Sequence, residues 1–280
     1  MPLQLITGPT AEPIHLTEAK NHLRVTDTST DSAIARSVAA ARQFAETNTQ
    51  RQIIAARWKL VLDSFPGPSL MGVPIGKSFS LPGHAILLPN PPLIQVVSIQ
   101  YLDTAGVLQT MPAADYTVDA STEPARITPV FGKIWPINLP QIGSVSVTFD
   151  AGYAVLFTAD ATADTIAVIG WKTLAINDVV RLSNSGGALP APLLPNTDYY
   201  IQTVVSPGVY KLSATQGGGA INLADAGTGS NFLGVVPDGL ISWMLIRLGS
   251  LYENHEEMAR SLQPLPFVDR LLDPYRMTVF

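Results

Sequence analysis

The sequence contains no cysteine. That absence removes disulfide frameworks, thiolate-ligated zinc, iron–sulfur clusters and thiol nucleophiles together. Basic charge is scarce as well. Seventeen Lys and Arg stand against 22 Asp and Glu, a formal charge of −5, which ill suits a chain for gripping nucleic acid by phosphate neutralisation. No run of about 18 apolar residues occurs, so no membrane-spanning helix is expected. The opening Met1–Gly8 lacks the basic start and apolar stretch of a secretory leader, and none is expected either. What the chain does have is apolar material: 46% against 14% charged, enough for 280 residues to build one large core or two modest ones.

Catalytic patterns are missing too. The four histidines, His15, His22, His84 and His255, include no i,i+4 pair, so no metal site is expected. No Gly-x-Ser-x-Gly elbow occurs, and Gly217-Gly218-Gly219 lacks the Lys-Ser/Thr ending of a phosphate loop. Asp115 and Asp119 flank a short predicted strand and are the one carboxylate pair to weigh for hydrolysis. Such residues more often end strands at solvent. Arg36, Arg42 and Arg51 are accompanied by Asp31 and Glu46, which reads as a charge-flecked face rather than a basic patch. Neither an enzyme nor a bound cofactor is expected.

Periodicity divides the chain. Thr17 is expected to cap a helix through Glu18–Val25, and Asp31 a longer one whose Ile34, Val38, Ala41 and Ala45 form one stripe of a 3.6-residue period. Two-residue alternation follows at Trp58, Leu60 and Leu62, at Val97, Ile99 and Tyr101, and at Val145, Val147 and Phe149. Asp103–Gly106 reads as a hairpin turn leading into Val107–Met111. Between Ser64 and Pro92 lie seven prolines, which excludes a sheet interior and predicts an extended loop. Long loops are often binding elements, so Pro66, Pro68, Pro74 and Pro82 are candidates for a contact surface.

From 155 to 235 the composition shifts: ten of 21 glycines fall there but only eight of 39 charged residues. Strands are predicted at Ile166–Ile169, Val179–Leu182, Tyr199–Val205 and Val209–Leu212, the last two joined by Ser206-Pro207-Gly208 as a type II turn. This pattern predicts a small all-β module inserted into an α+β core formed by 1–154 and 236–280. That core is expected to be helical, with two N-terminal helices, a long C-terminal helix and antiparallel strands. Pro237-Asp238 opens the last helix, whose Leu240, Ile241, Met244, Leu245, Leu248, Leu251 and Tyr252 give a wide apolar face. Within the β module, Trp171, Tyr199 and Tyr200 are candidates for an outward contact, though core packing is the plainer reading.

Several stretches resemble the head–tail connector (adaptor, or head-completion) proteins of long-tailed bacteriophages. They are Pro13–Val25, Ile34–Arg42 with its continuation to Thr49, Leu87–Tyr101, Asp115–Asp119, Pro124–Ile127, Trp135-Pro136, Phe149–Tyr153, Leu251–Asn254 and Leu271–Arg276, in the family's order. The resemblance implies a structural virion protein at the head–tail interface, assembled in the host cytoplasm. It implies a homo-oligomeric ring, commonly twelvefold, beneath the portal protein. Such a ring would extend the DNA channel, let DNA pass without sequence-specific binding, and meet a downstream neck or tail-terminator protein. The segment 155–235 departs from the family pattern. An alternative follows from it: a carbohydrate-binding or adhesin-like virion component acting through the β module. The apolar end of the chain, Tyr275, Arg276, Met277, Val279 and Phe280, is the candidate for portal docking, since exposing each large apolar group costs about 1.5–3 kcal/mol that a partner could recover.

Overall fold

Alternating apolar and polar residues build the first of two compact units. In the computed structural model, which describes residues 2–67, 84–168, 173–253 and 266–277, this unit takes in the chain up to Gly8 and from Ala56 to Gly152, with the end of the chain from Met277. Its strands are β1 (Leu3–Thr7), β2 (Ala56–Leu62), β3 (Ile86–Leu88), β4 (Leu93–Leu102), β5 (Leu108–Thr110), β6 (Tyr116–Asp119), β7 (Ala125–Pro129) and β8 (Val145–Ala151). Five form an antiparallel sheet in the order β1-β2-β8-β4-β5, and three form a second in the order β3-β7-β6. Leu60, Ile99, Val145, Val147 and Phe149 meet Ile86, Leu88 and Ile127 of the smaller sheet in one core. β8 lies in the middle of its sheet and carries the buried Asp150. Arg57 on β2 clamps that carboxylate with two bonds of 2.8 and 2.9 Å, and Gln95 on β4 adds one of 2.7 Å. The bond to Asp150 outweighs the effect of burial and raises the Arg57 guanidinium above its ordinary range.

Two sequence expectations fail here for identifiable reasons. Val97 is 41% exposed although it leads the predicted alternation. Val96 pairs with Phe149 but Ser98 with Thr148, so β4 spends one extra residue against β8, and the bulge turns Val97 out. The proline-rich stretch is also not wholly loop. Ile86–Leu88, a proline-free triplet, pairs with β7 at the edge of the small sheet, where missing donors nearby do no harm.

The second unit comprises Pro9–Ala55 and Tyr153–Arg276. It holds α1 (Leu16–Leu23), α2 (Asp31–Thr49), α3 (Asp238–Glu253) and the short α4 (Pro266–Arg270). The α2 stripe of Ile34, Val38, Ala41 and Ala45 is buried against Leu240, Trp243, Met244 and Leu248 of α3, as the spacing requires. The small alanines let the two helices approach closely. The caps differ from expectation. His15, not Thr17, caps α1, its Nδ1 accepting from the Thr17 N–H at 3.3 Å. Thr30 occupies the cap position of α2, while Asp31 pairs with Lys20 at 2.6 Å.

Six strands complete this unit: β9 (Ala154–Asp160), β10 (Thr165–Val168), β11 (Val179–Ser185), β12 (Asp198–Ser206), β13 (Val209–Ser213) and β14 (Ser230–Gly234). They close into a barrel in the order β10-β13-β12-β11-β14-β9, filled by Phe157, Ile166, Leu182, Ile201, Tyr210 and Leu233. Closure leaves no free edge. Gly208 sits at φ +84° in the β12–β13 turn, the left-handed position a type II turn reserves for glycine.

The expected fold class is therefore corrected. Among the described residues the molecule is mostly β, 33% strand against 21% helix, and its helices are short. The C-terminal helix α3 has 16 described residues and packs against α2 as one of its partners, not as a long helix around which the fold is built. A helical core dominates a sequence reading because long amphipathic stripes declare themselves. Strands of three to five residues, such as β1, β3, β7 and β14, give too few alternations to register.

Candidate interaction surfaces

The described residues among those expected from sequence fall in separate elements. Tyr275 lies in a single 3₁₀ turn and packs on the helical cluster of the second unit. Its backbone carbonyl accepts a bond from Arg51, and its ring stands against Gly239, where an added Cβ would lie 2.9 Å from the phenol oxygen. Arg276 is exposed beside Asp273 at 3.4 Å, and Met277 is half-buried. Val279 and Phe280 lie outside the described residues, as do Pro68, Pro74, Pro82 and Trp171; Pro66 is half-buried. Tyr199 points into the barrel core, its hydroxyl accepting from the Leu194 N–H at 2.8 Å, while Tyr200 is half-buried.

Asp115 and Asp119 serve separate structural partners. Asp115 pairs with Lys133. Asp119 accepts from the Ser121 hydroxyl at 2.5 Å, the Arg126 Nε at 2.7 Å and the Ser121 N–H at 3.0 Å, and these bonds hold its carboxyl down at about 2. Four residues of extended chain set the two backbones roughly 13 Å apart, wide of the carboxylate spacing that glycoside hydrolysis uses. Among the described residues no group of three or more His, Asp or Glu could hold a metal ion, and no helix is long and apolar enough to cross a membrane.

Within the second unit, a buried charge network fixes the segment that leads into α1. Arg42 on α2 donates to Glu12 at 2.7 and 3.2 Å and to Glu46 at 2.8 Å. Glu46 also accepts from the Gln52 amide at 2.7 Å and the Ile53 N–H at 3.1 Å. Burial alone would lower the Arg42 guanidinium, but bonds and charge from Glu12 and Glu46 override it and raise it. Burial raises the Glu46 carboxyl, the Arg42 charge only partly offsetting it. The same unit has a cleft of about 440 Å³ between Glu12, Glu18, Tyr153, Arg181, Asp198 and Ile241. Arg181 is spent on structure there, bonded to Asp198 at 2.6 Å, Glu18 at 3.1 Å and the Pro13 carbonyl.

In the first unit, the connection between β7 and β8 is a surface that sequence reading passed over. Phe131, Ile134, Ile137 and Ile142 each show at least 78% of their surface to solvent. The backbone carrying them is nonetheless pinned. Trp135 stacks on Phe65 at 4.9 Å and 9°, and its Nε1 donates to the His84 carbonyl at 2.6 Å. Asn138 donates to the Asp63 and Leu139 carbonyls at 3.2 and 3.0 Å, and Asp63 accepts from the Gly143 N–H at 2.9 Å. The Leu139 N–H reaches the Leu102 carbonyl at 2.9 Å. The available signal was a stretch between strands, Phe131–Ile142, that is apolar without alternating.

Comparison with known proteins places these features. Residues 13–71 match the family described as phage gp6-like head–tail connector protein, a span covering α1, α2, β2 and the Arg42–Glu46 pair. No curated protein sequence matches the chain. Three solved structures share the fold over 100% of this chain and 97% of theirs. The neck of an empty gene transfer agent particle computed with C6 symmetry matches with a TM-score of 0.56 at 18% identity. The virion of the native particle gives 0.55 at 17%, and the neck of the native particle computed with C12 symmetry gives 0.50 at 18%. At such identities the likeness is one of fold. Over residues 13–71 this chain is similar to phage gp6-like head–tail connector proteins, and over its full length it has a fold found in the neck of a gene transfer agent particle.

Proposed function

We propose that this protein is a structural ring component of the neck of a phage-like particle, standing between portal and tail and extending the channel through which DNA passes. One coincidence carries the reading. A connector-family segment lies within a chain whose whole fold recurs in a particle neck. The C6 and C12 symmetries of those necks support a closed homo-oligomer of six or twelve copies. Twelve copies at −5 each would carry about −60. A lumen lined by part of that charge repels phosphate and lets DNA slide without sequence-specific binding.

In this reading 1–154 and 236–280 form the connector core, and 155–235 is an insertion facing outward, where added chain disturbs few backbone bonds. The C-terminal residues from Arg276 to Phe280 are proposed to dock on the portal, with Tyr275 as their anchor on the protein's own helices. Native mass spectrometry of the full chain mixed with purified portal tests this reading. A complex holding six or twelve copies supports it, and loss of that complex on removal of 277–280, with the thermal midpoint unchanged, supports the docking site. A chain that never joins the portal contradicts it.

A further inference from the structure

Deepening the ring reading and resting on it, we infer that the β7–β8 loop, Phe131–Ile142, packs on the edge strand β1 of a neighbouring copy of this chain. The loop is built to present its apolar side chains. A flexible loop would fold Phe131, Ile134, Ile137 and Ile142 back on the sheet. Here the buried Trp135, stacked on Phe65, and the Asn138 and Asp63 bonds hold the backbone so that all four point to solvent. At about 100 Å² for each isoleucine and roughly 150–200 Å² for Phe131, those side chains offer on the order of 450–500 Å² of apolar surface. One side of a standard interface buries about 800 Å², so this loop alone supplies about half of what one partner must contribute.

The occupant follows from the rest of the same unit. A rotational ring needs two different patches on each copy, one for the neighbour ahead and one for the neighbour behind. Strand β1 is the second patch. It pairs with β2 on one side and, among the described residues, has no strand on the other. Its Leu5 and Ile6 are exposed. Its exposed part is also distinct from the loop: Leu5 pairs with Trp58, whereas it is the start of β1, where the Pro2 carbonyl accepts from Val61, that lies toward the Asp63 and Leu102 end at which the loop is bonded. The four loop side chains carry no charge, so an apolar edge of a second copy suits them better than a charged surface.

Photo-cross-linking in assembled particles tests this directly. Ile134→p-benzoylphenylalanine replaces one exposed apolar group by another. Irradiation is expected to join two copies of the chain, with the adduct mapping to residues 2–8. An adduct with another protein, with a different part of the chain, or no adduct in particles that contain the protein would overturn the inference while leaving the neck assignment standing. Absence of the chain from the neck would overturn both. As a second reading, F131S/I134S/I137S is expected to keep the wild-type thermal midpoint, since these side chains make no core contacts, and to lower incorporation into the neck at least tenfold. Unchanged incorporation would overturn the inference.

Discussion

Arg42→Ala is the perturbation whose size the structure defines best. Arg42 is itself buried, 7% exposed, and it neutralises Glu12 and Glu46 through three bonds between 2.7 and 3.2 Å. Removing one partner from a buried ion pair leaves the other desolvated and costs about 3–5 kcal/mol. For a unit of this size that lowers the thermal midpoint by about 6–20 °C. The loss should depend on pH with a defined sign. Burial already raises Glu46 above 4.5, and the Arg42 charge restrains that rise. A carboxyl whose folded value exceeds its unfolded value favours folding while protonated, and that contribution disappears as pH climbs through the folded value. Without Arg42 the folded value climbs further, so R42A should be closest to wild type near pH 4.5 and most impaired above neutrality. R42A/E46Q should recover part of the stability at pH 8, because only Glu12, the more exposed of the two carboxylates, is then left charged without Arg42. Urea titrations at pH 4.5 and pH 8 measure each term. A cost under 1 kcal/mol, or one that is the same at both pH values, would refute the reasoning.

Three further expectations are independent of that network. Trp135→Ala should destabilise the first unit by about 3–5 kcal/mol, read by chemical denaturation, because it removes the ring stacked on Phe65 and its bond to His84. Gly239→Ala should cost about 1–3 kcal/mol by driving a methyl into Tyr275, and Tyr275→Ala in the same chain should relieve the clash and leave only the loss of the ring. Asp119 should titrate by NMR at about 2. Its contribution to stability is present above 3.8 and is lost as pH falls toward 2, a dependence that D119N should abolish.

Much of the local structure was legible from spacing alone. The α2 stripe, the Asp103–Gly106 hairpin and the Pro207-Gly208 turn follow from period and turn chemistry, and all three stand in the fold. What was not legible depends on distance in sequence or on one-residue accidents. Glu12 and Arg42 are 30 residues apart, and nothing in either neighbourhood marks them as partners. The β4 bulge that exposes Val97 is invisible to a strict two-residue period. His15 as a cap escapes a search for Ser, Thr, Asp or Asn, although an imidazole nitrogen accepts the same bond. Strands β9 and β14 pair residues more than 70 positions apart, so the barrel read as four strands rather than six. The exposed loop is hidden for a different reason: apolar residues without a period are ordinarily read as buried, and only the fold shows them facing water.

A protein of the neck must be found there, so locating the chain in the particle is the most direct test. Cryo-electron microscopy of particles carrying a tagged copy, reconstructed at the neck, should show the tag density repeated around one ring between portal and tail, six or twelve times. Tag density on the capsid faces or tail tip, or particles that lack the chain altogether, would contradict it.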